Sequence, residues 1–235
     1  MTATLYGIGV GPGDPDLITL KGLRVLEAAP VIAYPAPESG DSLARAIMAP
    51  HLDGHHEEIA IRMPMTSDRF PAAAAYDRAA RRIGERLDAG LDVAVLCEGD
   101  PFFYGSFMFL FGRMADRYPV EVVPGVSSLT ACASALDAPL AARNDVLSVV
   151  PATLDAASLE RRIREVDAVA IIKVGRHFAK VRTVLERLGA RTRARYVERA
   201  TMVNERILRL EDVDPGSVPY FSMILVHARG EAWRV

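Results

Sequence analysis

The fold is decided by the stretch Thr4-Leu-Tyr-Gly7-Ile-Gly9-Val-Gly11-Pro12-Gly13-Asp14-Pro15. Residues Thr4–Val10 are mostly apolar or small and read as a buried strand. The glycines and prolines that follow predict a tight loop at its carboxyl end. Open α/β sheets bind ligands at such a position, and glycines without Cβ let a ligand reach the main chain. The loop is not a dinucleotide fingerprint. Counted from Gly7, the last glycine of G-x-G-x-x-G would fall on Pro12; counted from Gly9, it would fall on Asp14. A second strand ending at Tyr34 is followed by Pro35, not by the acidic residue that would hold a ribose hydroxyl. No Gly-Lys-Ser/Thr occurs, which excludes a phosphate-binding P-loop. These absences disfavour a nicotinamide-dependent oxidoreductase, a nucleotide-binding module and a Rossmann-type methyltransferase.

Outward from this loop, strand candidates Val31–Tyr34, Glu58–Arg62, Asp92–Cys97 and Val120–Val123 alternate with segments of helical spacing. The clearest helix is Pro71–Ala89, where Tyr76, Ala79, Ala80, Ile83 and Leu87 form one stripe and Gly90 ends it. Such alternation predicts a mainly parallel sheet covered on both faces. The second half changes character. Val146–Val150, Val169–Val174, Ala194–Arg199, Ile207–Leu210 and Phe221–His227 read as strands, interrupted by the helices Ser158–Val166 and His177–Leu188. The chain is therefore read as an α/β protein of two domains. Residues 1–129 form a mainly parallel α/β sheet with glycine-rich loops, and residues 130–235 form an α+β domain.

The composition sets outer bounds. With 235 residues, 50% hydrophobic and 25% charged, the chain can bury a core without a disulfide or structural metal. A net charge of −2 argues against a nucleic-acid partner. Cys97 and Cys132 are too few for a disulfide framework and read as small buried hydrophobes. No run approaches the roughly 18 apolar residues of a membrane helix, and no basic leader precedes TLYGIGVGPGD, so a soluble cytoplasmic protein is expected. Lys21, Lys173 and Lys180 are the only lysines, leaving 25 arginines among 28 basic residues. Most are read as surface residues. Arg45, Arg62, Arg143 and Arg176, in or beside loops, are the candidates for bidentate capture of carboxylates.

Two further loops complete the pattern. Asp92–Cys97 runs into Glu98-Gly99-Asp100-Pro101-Phe102-Phe103-Tyr104-Gly105, and Val120–Val123 into Pro124-Gly125-Val126-Ser127-Ser128. Three such loops at the ends of three strands would converge on one side of the sheet as a binding cleft. The segments GIGVGPGDPDLITLKG, the Tyr34-Pro35 pair, GDPFFYG and PGVSS together resemble the tetrapyrrole (corrin/porphyrin) methylase family, from about Thr4 to Gly230. Within it, YPAPESGDSLAR, GDPFFYGSFMFLF, PGVSSLTACASALDAPLAARNDVLSVVPA and PYFSMILVHA look most like the members that methylate C20 of precorrin-2 in cobalamin biosynthesis.

The resemblance implies the two-domain tetrapyrrole methylase fold, an S-adenosylmethionine cleft between the domains, a small-molecule tetrapyrrole substrate and a homodimer. It implies cofactor contacts at Gly99, Asp100, Phe103, Tyr104, Ser127, Ser128, Val174 and Ser222. Val174 stands where the family often has methionine, against which the adenine packs. Pro12, Gly13, Asp14 and Arg143 are the implied substrate contacts. The reaction would give precorrin-3A; cobalt-precorrin-2 and uroporphyrinogen III are alternative substrates. Glu98, Asp100 and Tyr104 are candidates for a base, with none singled out. His51, His55 and His56, with Glu57 and Glu58, lie in a polar loop without ordered ligand spacing, so no metal is expected. Met63, Met65, Met108, Met114, Phe107, Phe109 and Phe111 read as core, Lys173 as a snorkelling amine, and His227 as a partly buried strand residue.

Overall fold

A computed structural model describes residues 3–63, 71–230 and Ala232. Met65 lies outside the described residues. The chain divides into two compact units, Met1–Ser127 and Ser128–Val235.

In the first unit, β1 (Leu5–Gly9), α1 (Leu20–Ala28), β2 (Val31–Pro37), α2 (Leu43–Met48), β3 (Glu57–Met63), α3 (Pro71–Asp88), β4 (Val93–Cys97), α4 (Phe107–Met114) and β5 (Val120–Val123) follow in order. The strands form one sheet, β3-β2-β4-β1-β5, with every pairing parallel. Such strands need crossover helices, and these cover both faces. Tyr76, Ile83 and Leu87 of α3 and Phe107 and Leu110 of α4 pack on one face with Leu5, Val31 and Val95. Leu26 of α1 and Ile47 and Met48 of α2 pack on the other with Ile8, Ile32 and Leu96. Two hydroxyls start the helices: Thr19 Oγ1 accepts the Gly22 N–H of α1 and Ser42 Oγ the Arg45 N–H of α2. In α4 only one face is inward. Phe107 and Met114 are buried, whereas Met108, Phe109 and Phe111, read from sequence as core, are exposed. The apolar run is continuous, so its spacing did not mark which side turns outward.

In the second unit, α5 (Ser128–Ala135) precedes β6 (Leu147–Pro151), α6 (Ala156–Arg164), β7 (Ala168–Ile172), α7 (Phe178–Arg187), β8 (Ala194–Glu198), β9 (Arg206–Leu208) and β10 (Ser222–His227). The sheet order is β6-β7-β10-β8-β9; β6 and β7 are parallel and the remaining pairs antiparallel. Leu159 of α6 and Phe178, Val181 and Leu185 of α7 fill one face with Tyr196 and Ile224. Cys132 and Leu136 fill the other with Ala170, Val197 and Leu225. Among the described residues no helix is long and apolar enough to cross a membrane.

Candidate functional site

The three glycine loops of the first unit do meet. β1 pairs with both β4 and β5, with Gly9 opposite Cys97 and Ile8 opposite Val123, so the three strands end along one edge. Beyond it Gly99 N–H donates to Gly11 O at 2.8 Å, and Val10 N–H to Cys97 O at 2.9 Å. The third loop presses onto this pair. A Cβ on Gly125 would lie 2.1 Å from Gly99 O and 2.6 Å from the Gly9 Cα. The glycines therefore permit backbone to pack on backbone, a use that the sequence pattern does not separate from ligand approach.

Asp100 ties the junction together. Its Oδ1 accepts the N–H groups of Phe102 (2.9 Å) and Phe103 (3.1 Å), and its Oδ2 accepts that of Gly125 (3.0 Å). A carboxylate has about four acceptor positions, so capacity remains for a ligand donor. The turn it shapes displays Phe103, half-buried, and Tyr104, 47% exposed, with rings edge to face at 5.2 Å. Tyr104 adopts a left-handed φ of 54°, a conformation uncommon for a bulky side chain and one that clusters at functional turns. Glu98 is drawn inward, where burial raises its pKa against the lowering effect of backbone N–H groups including that of Ala44. In the first loop Pro12 is buried, Gly13 and Asp14 are half-buried, and Asp14 accepts the Asp16 N–H at 2.9 Å. Ser127 is half-buried, whereas Ser128, exposed, opens α5.

Two of the carboxylate-capturing candidates are already engaged. Arg45 grips Glu58 through Nε and Nη2, both at 2.7 Å, and Tyr34 Oη donates to the same carboxylate at 2.5 Å. Arg45 thereby holds the Glu58 carboxyl below its ordinary range. Arg62 donates to Pro37 O (2.9 Å) and Gly40 O (2.8 Å), clamping the loop after β2. Sequence spacing carries no sign of these partners. Arg143 and Arg176 are exposed and have no ion pair among the described residues; Arg143 sits at a φ of 51°.

In the second unit, the side chain of Val174 is fully buried among Ile171, Phe178 and Val181. That corrects the reading of this side chain as a ligand-packing surface: only its main chain can face outward. Ser222 Oγ donates to Pro219 O at 2.8 Å and accepts the Gly175 N–H at 3.3 Å, fixing the turn after Val174. Lys173, half-buried, precedes this turn at a φ of 56°. A polar cluster that sequence analysis missed, with His227 buried and Arg229 exposed, lies at the far end of β10. His227 Nε2 lies 3.1 Å from Asp145 Oδ2, and Arg229 approaches the same carboxylate at 2.8 Å. Arg229 holds the Asp145 carboxyl well below the usual carboxylate range. The pairing spans more than eighty positions and leaves no local signature. Both cysteines are buried; burial pushes the Cys132 thiol up to about 12 and raises that of Cys97. Neither is an activated nucleophile.

These observations define an α/β protein of two units. Glycine loops cap the carboxyl edge of its parallel sheet, where burial keeps the Cys97 thiol protonated. A model of the Tetrapyrrole (Corrin/Porphyrin) Methylases matches residues 4–214, and the chain belongs to this family. It is 42% identical over 231 residues to the cobalamin biosynthesis protein CobIJ of Mycobacterium tuberculosis (strain ATCC 25618 / H37Rv), covering 95% of this chain but 46% of that protein. The chain thus spans about half the length of that relative. It is 40% identical over 230 residues to a precorrin-2 C(20)-methyltransferase of a Sinorhizobium species, covering 94% of each. Among solved structures it is similar to the uroporphyrin-III C-methyltransferase of Thermus thermophilus complexed with S-adenyl homocysteine. The TM-score is 0.70 at 26% identity, over 96% of this chain and 92% of that one.

Proposed function

We propose that this protein transfers a methyl group from S-adenosylmethionine to the C20 meso carbon of precorrin-2, giving precorrin-3A in cobalamin biosynthesis. The observation that carries the reading is the 40% identity to the Sinorhizobium enzyme, which runs through 94% of both chains. When bound, the cofactor supplies a methyl already activated on a sulfonium, so the protein need not supply a nucleophile. The first unit suits such a ligand. Exposed Tyr104 and half-buried Phe103 offer ring faces to a cation or a base, and Asp100 keeps acceptor capacity beside them.

In this reading Gly99, Asp100, Phe103, Tyr104, Ser127, Ser128, the main chain of Val174, and Ser222 hold the cofactor. Pro12, Gly13, Asp14 and Arg143 contact the tetrapyrrole. Their task is to orient the acceptor carbon and exclude water. The acceptor carbon gains the methyl and gives up its proton. A cytoplasmic homodimer belongs to the same proposal, with light scattering after gel filtration as its test. Incubation with methyl-labelled cofactor and either precorrin-2, its cobalt complex or uroporphyrinogen III, followed by NMR, tests the chemistry. A labelled methyl at C20 of precorrin-2 is expected. Labelling of uroporphyrinogen III alone overturns the substrate, and calorimetric binding of NAD in place of S-adenosylhomocysteine overturns the class.

A further inference from the structure

The segment between α2 and β3 gathers residues that the methyl-transfer reading does not use. Asp53, His55 and His56 each place one potential ligand atom so that all lie within 4.8 Å of one another. The neighbouring acids are occupied elsewhere. Glu57 accepts from Arg86 Nε at 2.8 and 2.9 Å, and Glu58 is held by Arg45 and Tyr34. One carboxylate and two imidazoles are left as the donor set.

A second observation points to a ligand. His56 Nε2 lies 2.9 Å from Leu26 O. A carbonyl only accepts, so this nitrogen carries the ring proton and Nδ1 presents a lone pair. That Nδ1 is buried and has no hydrogen-bond partner, which is costly for a polar atom withdrawn from water. A metal-bound histidine has this same arrangement, with its far nitrogen anchored on a carbonyl and its near one bare. The His55 ring lies against it, centroids 3.7 Å apart, and His55 Nδ1 meets Asp53 Oδ1. Leu26 also belongs to the last turn of α1, whose carbonyl end favours positive charge.

We infer that Asp53, His55 and His56 bind one divalent transition-metal ion of the zinc type. Imidazole and carboxylate suit such an ion, whereas calcium and magnesium require more oxygen ligands. Three protein donors leave the remaining coordination to water. The proposal departs from the expectation from sequence that the loop holds no metal: adjacent histidines gave no ligand spacing, and the anchor of His56 is a carbonyl 30 positions away.

The test is calorimetric titration of the full, tag-free chain with zinc chloride at pH 7.5. One equivalent should bind with a dissociation constant of about 10 μM or tighter. Asp53→Asn and His56→Ala should each weaken binding by about tenfold or more, with circular dichroism confirming that they remain folded. Magnesium and calcium at equal concentration should give no saturable heat. Absence of saturable zinc binding below 100 μM overturns the inference. So does zinc binding that is undiminished when Asp53→Asn, His55→Ala and His56→Ala are combined.

Discussion

Replacing Gly125 by alanine should dismantle the loop junction of the first unit. The new Cβ would stand 2.1 Å from Gly99 O, 2.6 Å from the Gly9 Cα and 2.8 Å from the Gly9 carbonyl carbon, where real Cβ contacts essentially never fall below 3.0 Å. The loops must therefore part by at least 0.9 Å, the difference between 3.0 and 2.1 Å. Every obstructing atom is backbone, so no side chain can swing aside. Parting them strains the Asp100–Gly125 bond at 3.0 Å and the Gly99–Gly11 bond at 2.8 Å. Overpacking of this kind costs about 1–3 kcal/mol and a weakened hydrogen bond about 1 more. A total of about 3 kcal/mol should lower the melting temperature of the first unit by roughly 10 °C. Gly112, in α4, is the control. Nothing lies within 4 Å of a Cβ built there, and Gly112→Ala should stabilise the protein by up to about 1 kcal/mol through helix propensity. Scanning calorimetry reads both variants. Calorimetry with S-adenosylhomocysteine should show binding lost in Gly125→Ala and kept in Gly112→Ala. If Gly125→Ala melted within 2 °C of wild type and bound normally, the junction would not be the element that shapes the site.

Asp100→Ala removes the acceptor of three backbone N–H groups and should cost about 2 kcal/mol in urea unfolding, with at least a tenfold loss of S-adenosylhomocysteine affinity. Asp100→Asn keeps one oxygen acceptor and should fall between the two, so equal behaviour of Ala and wild type would remove the positioning role. Burial raises Glu98 above its ordinary 4.5. From about that pH upward the native chain holds a proton that the unfolded chain has released, and its stability declines as pH rises through the folded pKa. Glu98→Gln lacks this dependence and should gain on wild type between pH 4 and pH 8; a variant that loses ground over that range contradicts the burial argument. Arg143→Ala and Arg176→Ala should each raise KM for the tetrapyrrole about threefold to fivefold, reduced by added salt, with cofactor affinity unchanged. An unchanged KM for both would assign carboxylate capture elsewhere.

The parallel sheet of the first unit was legible because its evidence is local. Thr4–Val10 and Val31–Tyr34 are short apolar runs bounded by glycine and proline, and the stripe from Tyr76 to Leu87 has a helical period. The strand ends differ from those of the structure by a few residues at most, β2 continuing through Pro35 to Pro37. Partnership across the chain was not legible. That Arg45 and Arg62 are engaged, that Val174 faces the core and that Asp145 meets His227 all depend on which distant residue arrives at the same place. Residue type marked Arg45 as a candidate for bidentate carboxylate capture, but not that the carboxylate is the chain's own Glu58, thirteen positions later. Aromatic content likewise failed to place α4, because Phe107 and Phe109 are chemically alike and only the sheet distinguishes their faces.

The motif residues themselves have a shared physical character. Gly9 and Gly125 contribute absence of a side chain, Asp100 accepts from the main chain of two loops, and Ser222 fixes the turn at Gly175. Each acts first on the protein's own backbone, which sets where carbonyls, N–H groups and the rings of Phe103 and Tyr104 stand. A site that generated its own nucleophile would need a polarised thiol, hydroxyl or imidazole among these residues. Here the two thiols are buried with raised pKa values, and His227 is committed to Asp145. Residues that shape backbone suit a reaction in which the activated group arrives with the ligand. The glycine, proline and aspartate of the loops are of this kind.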